Sequence, residues 1–464
     1  MEEIETQKPI ETEEQLKEKT KKISVFEGSA YSVMDGAGLR NITPYALALG
    51  ASNSQIGFLT SIPTLLGNLS QIFTPKVMEK YSRKKILIFS ILLQAFMWVP
   101  LLVIGYLFFY KGLSPAKSSI FVILIYSFLI IFGSFLSPAW NSLMRDIITQ
   151  KSGNYFGRRN KIVGAIALGV LLISGFVLDY FKGKEILFFG FLILFGFAFI
   201  ARSVSAYLFT KHYEPELKLE KGYYFTLKQF IKKIPESNFG KFSVLVAMIM
   251  LATSIASPFF SVYMLNELHF SYKIWTMIVI ASSLGSLLFM QVWGRFADKY
   301  GNLKVIKITG LYIPLVPLVW VLSPLIANIS NLLLFIYLLT LEFVSGVMWA
   351  GFNLSSVNFI YDASTRQRIP LCVAYFNVLS GIGIFIGATL GGFISSFNFV
   401  LFGMSPILFI FFLSFVLRFG AYILMISKVK EVREVEKYEK GGFRKEFRDS
   451  ILYITNKFIK PRPT

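Results

Sequence analysis

Asp35, Arg40 and Glu342 are the side chains of this sequence best placed to do chemistry, because each is ionisable and each falls inside a long apolar run. A charge in such a setting is costly, so it tends to be kept where it meets a solute, a proton or another charge. Asp35 reads as a solute or proton site, or as a packing partner for a basic group elsewhere. Arg40 reads as a site for an anionic group, or as a side chain that snorkels to a membrane surface. Glu342 interrupts the run LLTLEFVSG and reads as a proton or solute site. Helical spacing gives these residues companions. Glu342, Ser345, Trp349 and Asn353 form one stripe, Ser134, Ser137, Asn141 and Arg145 a second, and Glu27, Tyr31, Asp35 and Gly38 a third. Thr253, Ser257 and Ser261 make a milder one. Facing stripes of this kind suit a wet path through an oily body. Asp35 and Arg40 lie five positions apart, about 140° around a regular helix, which argues against a direct pair. Trp140 and Trp349 could stack on a solute or simply pack. Arg145 and Asp146 read as gate or topology residues, and Arg202 and Arg418 as snorkelling arginines.

Other chemistries find little support. The single cysteine, Cys372, rules out a disulfide within the chain, and two distant histidines, His212 and His269, offer no metal cluster. No cofactor is expected. No phosphate-binding GxxxxGK[ST] occurs, and no clustered acids or histidines suggest acid–base work, so the chain does not read as an enzyme. The rival readings are a multi-span membrane enzyme and a sensor derived from a carrier. The net charge of +20 would fit nucleic acid or a membrane surface. The basic residues lie between apolar runs, which favours the membrane and excludes nucleic acid as a partner.

The elements that must hold these residues follow from composition. The chain is 54% hydrophobic and 16% charged, where a soluble protein carries roughly a quarter charged residues. A span needs about 20 apolar residues and must satisfy its own backbone, so the spans are helices. They are expected near 24–47, 54–74, 86–110, 118–144, 159–181, 185–209, 240–264, 272–294, 304–326, 331–358, 369–395 and 399–427. The first two are the most polar, which fits helices whose polar side faces inward. Alternate gaps are rich in Lys and Arg, among them Lys76, Arg83, Arg158, Lys232 and Arg295. The gaps between hold only Lys111, Lys117, Lys182, Lys184 and Lys273. The asymmetry puts both ends in the cytoplasm of a cell-membrane protein. The expected organisation is a tail at 1–23, a six-helix bundle at 24–209, a loop at 210–239, a second bundle at 240–427 and a basic tail at 428–464. Residues 223–234 could form an amphipathic surface helix with Tyr224, Phe225, Leu227, Phe230 and Ile231 towards lipid, or remain a plain linker.

The two halves echo each other. PKVMEKYSRKK (75–85) corresponds to GRFADKYGNLK (294–304), and PAWNSLMRDI (138–147) to AGFNLSSVNF (350–359), which pairs Asn141 with Asn353. GRFADKYGNLK resembles the signature loop of the major facilitator superfamily through Gly294, Ala297, Asp298, Lys299 and Gly301. Asn302 and Leu303 depart from it, and the first-half copy, with Glu79 and Ser82, is degenerate. YFGRRNK (155–161) is similar to a loop of prokaryotic members. The resemblance implies an all-α membrane protein of twelve helices in two pseudo-symmetric bundles. It also implies that spans one, four, seven and ten line a central cavity where Asp35, Arg40, Asn141, Glu342, Trp349 and Asn353 meet solute. Gly294, Arg295, Asp298, Lys299 and Gly301, with Glu79 and Arg83 in the other copy, become a conformational latch. The implied activity is secondary transport of a small solute by alternating access, with a lean towards proton coupling, in a monomer surrounded by lipid. The Gly-Pro signature of drug/proton antiporters is not evident in the fifth span, which weighs against a drug exporter.

Overall fold

A computed structural model describes residues 12–148, 152–216, 226–365 and 368–436. The stretch Tyr224–Phe225 of the expected surface helix, Lys151, Arg366 and the outer parts of both tails lie outside the described residues. Twelve long helices make up the described body, each overlapping an expected span. In the first half α1 is Glu13–Ala37, continuing beyond a break through Leu39–Asn41 and Ile42–Ala48, and α2 is Asn53–Ser70. They are followed by α3, Arg83–Lys111, α4, Pro115–Ile147, α5, Ser152–Gly183, and α6, Leu187–Thr210. The second half holds α7, Asn238–Glu267, α8, Tyr272–Tyr300, α9, Asn302–Val321, α10, Asn331–Asp362, α11, Ile369–Ile394, and α12, Pro406–Ile426. An even number of crossings brings both ends to one face, called here the tail face, and the opposite one the far face.

Local chemistry explains where these helices begin and bend. Ser52, Ser82, Ser237, Ser271, Ser330 and Ser405 precede six of them, and each hydroxyl accepts a hydrogen bond from an otherwise orphaned first-turn amide. Ten helices are apolar and long enough to cross a membrane on composition; α1 and α2 are not among them. The reason is visible in α1, whose Thr20, Ser24, Glu27 and Ser32 are all buried, so that its polarity faces protein. The same helix breaks at Gly38, where the indole of Trp98 leaves no room for a Cβ. Asn41 Nδ2 donates to the carbonyls of Gly36 and Ala37, at 2.9 and 3.1 Å, and so satisfies groups freed by the break.

Packing joins the halves along two seams, α2 against α11 and α5 against α8. Within the second half, Gly383, Gly387 and Gly391 let α11 lie directly on the α7 carbonyls of Ala247, Leu251 and Ile255, the close approach that such spacing permits. In α5, Gly169 has open space, while Gly164 and Gly175 meet Leu287 and Thr276 of α8.

The core is distributed unevenly across the membrane. On the far side one cluster runs through both halves, with Met34, Tyr45, Trp98, Leu171 and Phe195 from the first and Ile255, Tyr263, Trp275, Trp320 and Phe411 from the second. On the tail side it divides into separate clusters. One holds Ile86, Leu87, Leu143 and Phe209; another holds Phe242, Ile306, Phe352, Phe359 and Tyr375. The halves are thus sealed on one side and parted on the other. The short helix Leu227–Lys233 of the connector does not lay Phe230 on lipid. Phe230 is buried against Phe239 and Tyr375, because the bundle offers an aromatic niche, while Ile231 stays exposed.

Candidate functional site

The ionisable residues read from the sequence converge at the joint between halves. Asp35 Oδ2 accepts from Arg40 Nε at 2.9 Å, so the expectation that they could not pair is wrong. The break at Gly38 is the cause, since the angle counted along a regular helix does not apply across it. Arg40 Nη1 also donates to the Ser283 hydroxyl of α8, 3.2 Å away in the other half. The neighbouring Ser282 lies against α10 at Gly346, one turn from Glu342, whose Oε1 accepts from Trp320 Nε1 at 3.1 Å. Asp35, Arg40, Ser283, Ser282, Glu342 and Trp320 therefore form a polar bridge across the bundle boundary. Its centre is a Ser-Ser pair on α8 that the sequence reading passed over. Gly346 makes this possible, because a side chain there would strike the Ser282 carbonyl.

A second cluster lies nearer the tail face, in the first half. Glu27 of α1 is almost fully buried and receives two arginines. Arg159 Nη2 of α5 lies 3.3 Å from Oε2, and Arg202 Nη1 of α6 lies 3.8 Å from Oε1. Ser205 donates to Oε1 at 3.0 Å, and Gln94 Oε1 of α3 accepts from Arg202 Nε at 2.7 Å. Aromatic rings back both guanidinium groups, Trp140 beneath Arg159 at 5.0 Å and Tyr31 beneath Arg202 at 5.1 Å. Arg202 does not snorkel, and neither does Arg418, which is 3% exposed and donates to the carbonyls of Ile313 and Thr253. Neighbouring helices supply partners to both, so neither must reach for headgroups. Glu27 was legible as part of an inward stripe. Arg159 was not, since it closes the basic run YFGRR and looks like loop charge until α5 is seen to extend through it.

Comparison with known proteins decides the class. The family model described as Major Facilitator Superfamily matches residues 28–234 and 242–459. The chain belongs to the major facilitator superfamily. A "Multi-drug resistance efflux pump PmrA homolog" of Lactococcus lactis subsp. lactis (strain IL1403) is 22% identical over 390 residues, covering 80% of this chain and 86% of that one. A mutant form of the nucleoside transporter NupG superposes with a TM-score of 0.65 at 14% identity, over 89% of this chain and all of that one. A bacterial homologue of the iron transporter ferroportin, in an inward-facing state, gives 0.66 at 10% identity, over 91% and 100%. These low-identity structures share the fold. The chain is thus a multi-pass membrane transporter of a small solute.

The remaining residues expected at the site lie nearer the tail face. Asn141 and Asn353 are both exposed on the tail-side halves of α4 and α10, and Trp349 is half-buried against Phe352. The buried face of lower α4, with Ala139, Leu143 and Ile147, packs on α3, which leaves Asn141 and the 64% exposed Arg145 on the opposite face. In the signature loop Gly294 and Lys299 are half-buried, and Arg295 and Asp298 are exposed. Asp298 makes no hydrogen bond or ion pair with a described residue. Gly301 has φ +89 and touches Glu431, a conformation and a contact that leave no room for a side chain. In the other copy Glu79 is exposed, whereas Arg83 is fully buried, bonded to Asp146 and within 3.6 Å of Glu214.

Proposed function

We propose that this major facilitator is a secondary carrier that works by alternating access in the cell membrane and stands here open to the cytoplasm, the side of both tails. In this reading 24–209 and 240–427 rock as two bundles about the loop 210–239, and the tails 1–23 and 428–464 remain cytoplasmic. The observation that carries it is the uneven core: one continuous cluster on the far side, separate clusters on the tail side. Polar ties between halves fit the same state. Asn53 Nδ2 donates to the Ser395 carbonyl, Thr389 meets Ser61, and Asp179 accepts from the amides of Tyr272 and Lys273, all in the far half. In the tail half the recorded side-chain tie is Asn377 to Gln71. The exposed Asp298, with Arg295 and Lys299, is then a latch awaiting the opposite state. The experiment is thiol labelling in a Cys372→Ser background. Asn141→Cys should react with a membrane-impermeant reagent from the tail side and be shielded from the far side. Reaction from the far side alone overturns the assignment.

Glu342 is the proton-coupling site in this proposal. Its hydrogen-bond partner, the Trp320 indole, is neutral, and no described cation stands within ion-pair distance, so it can gain and lose a proton without breaking a salt bridge. Glu342→Gln should fold and retain exchange of solute across proteoliposomes while losing uptake driven by a pH gradient. Gradient-driven uptake at the wild-type rate would remove Glu342 from the coupling path. The proposed carrier is a monomer, and its likeness to an efflux pump makes export the first direction to test.

A further inference from the structure

We propose that the cargo is an organic anion with an aromatic part, and that Arg159 is the residue that holds its carboxylate or phosphate. The proposal rests on the reading of the tail-side crevice as the solute path. Charge gives the first argument. Three arginines of the first half, Arg40, Arg159 and Arg202, are gathered on two carboxylates of α1, Asp35 and Glu27. Arg40 has Asp35, while Arg159 at 3.3 Å and Arg202 at 3.8 Å divide the single carboxylate of Glu27 between them. A desolvated guanidinium with half a counter-charge is costly, and an anion arriving from the crevice would complete it.

Geometry gives the second. Arg159 is 9% exposed, with Nε on the Ser24 carbonyl and Nη2 on Glu27. Its Nη1 donates to no described group, yet it is not among the sealed orphan atoms of the interior, so it opens to water. The guanidinium is held in place rather than swinging freely. Gly28 leaves it room on one side, Trp140 lies beneath it, and Tyr155, whose hydroxyl is tied to the Lys21 carbonyl, stands against Trp140's neighbour Phe156. A planar fork so fixed, with donors left over, is suited to a carboxylate or phosphate. Tyr31 supplies the third argument. It sits on the inward stripe of α1 between Glu27 and Asp35, yet its ring is 37% exposed. Arg202 covers one face of the ring, and the exposed remainder, one helical turn from Glu27, is where the flat part of a solute would lie.

Anionic headgroups of the tail-side leaflet share this charge chemistry, so the test must separate the two sources. The protein is placed in nanodiscs of phosphatidylcholine, with or without phosphatidylglycerol, and its unfolding temperature is followed against benzoate, cyclohexanecarboxylate and benzamide. Benzoate should stabilise the wild type, cyclohexanecarboxylate less, benzamide not at all, in both lipids. Arg159→Gln leaves Glu27 and Arg202 as a balanced pair and so should fold, but should bind benzoate about tenfold more weakly, as loss of a charge-assisted hydrogen bond implies. Glu27→Gln, with two arginines short of a counter-charge, should gain more from benzoate than the wild type does. Equal benzoate binding by Arg159→Gln, an equal response to benzamide, or no response in the wild type would overturn the proposal. Stabilisation by phosphatidylglycerol that benzoate cannot add to would assign the site to lipid and overturn it as well. Binding that persists in protein without vesicle flux would instead remove the carrier reading and leave the anion site standing.

Discussion

Arg202 and Arg418 stand at the same place in the two halves, each eight residues before the end of its sixth helix, yet they keep different company. Arg202 pairs with a carboxylate on the first helix of its bundle and with Gln94 on the third. Arg418 reaches the corresponding helices, α7 and α9, but finds only the backbone carbonyls of Thr253 and Ile313, and its Nε is left buried without a partner. The far-face gates differ in the same sense. At the end of α5 the carboxylate of Asp179 takes the first amides of α8, whereas at the end of α11 it is a neutral carbonyl, Ser395, that takes the side chain of Asn53 at the start of α2. The repeat has kept positions and dispersed charge. The first half holds ion pairs fixed between helices; the second holds Glu342 deep in the bundle with a neutral hydrogen-bond partner, Trp320. A rocking pair of bundles can use that difference, with one half binding a charged solute and the other free to change protonation.

The largest effect expected from this comparison is on stability. Glu27→Ala strips two buried arginines of their carboxylate, and breaking a buried pair in this way costs about 3–5 kcal/mol. Glu342→Ala removes one neutral hydrogen bond, at about 1 kcal/mol, and an attraction to Arg418 that acts beyond ion-pair distance, while Arg418 keeps the carbonyls it already has. Thermal or denaturant unfolding in detergent should therefore rank Glu27→Ala well below Glu342→Ala. Equal losses would mean that Arg418 depends on Glu342 as Arg202 does on Glu27, and the contrast between halves would fail.

The gates should show the next largest effect, on conformation rather than folding. Asp179→Asn weakens a charge-assisted contact to the positive end of α8, worth about 1–2 kcal/mol, or roughly a 5- to 30-fold shift towards the state open on the far face. Asn53→Ala removes one neutral hydrogen bond and should shift the balance by about half as much in free energy. Distances between spin labels on the far ends of α5 and α8 would report both. A larger shift from Asn53→Ala would locate the gate on the α2–α11 seam instead.

How much of this was legible beforehand depended on whether the signal was local. Twelve spans, their caps and the inward polarity of α1 follow from hydropathy and spacing, which act within a helix. Asp35, Arg40 and Glu342 were found because a charge in an apolar run is conspicuous alone. Their partners were not found, because Ser282 and Ser283 become informative only when α8 is placed between α1 and α10, and because the pairing of Asp35 with Arg40 needed the break at Gly38. Arg202 and Arg418 were misjudged, and Arg159 passed over, for one reason. An arginine near the end of a span snorkels unless another helix offers it a partner, and no rule of sequence spacing shows which helix that is.

The smallest effect concerns the tail-face ends of α3 and α9, where the repeat is most nearly symmetric. Glu214 Oε1 accepts from the Arg83 amide at 2.7 Å, and Glu431 Oε2 from the Leu303 amide at 2.7 Å, so a glutamate beyond each bundle's sixth helix caps the same helix start. Asp146 bonds Arg83, and its counterpart Asp362 bonds Asn302 and lies 3.1 Å from Arg433. Each cap is a carboxylate at a helix N-terminus and should contribute about 0.5–2 kcal/mol. Glu214 does slightly more, since it also faces the buried guanidinium of Arg83 at 3.6 Å, which otherwise has Asp146 as its described counter-charge beside the neutral Ser142 and the Pro215 carbonyl. Glu214→Gln should therefore lower the unfolding midpoint by a little more than Glu431→Gln, with both losses smaller than that of Glu27→Ala. If Glu431→Gln proved the more damaging, the contact of Glu431 with Gly301 in the signature loop would hold the second half together more firmly than its charges suggest, and the division of labour drawn between the halves would have to be redrawn at this face.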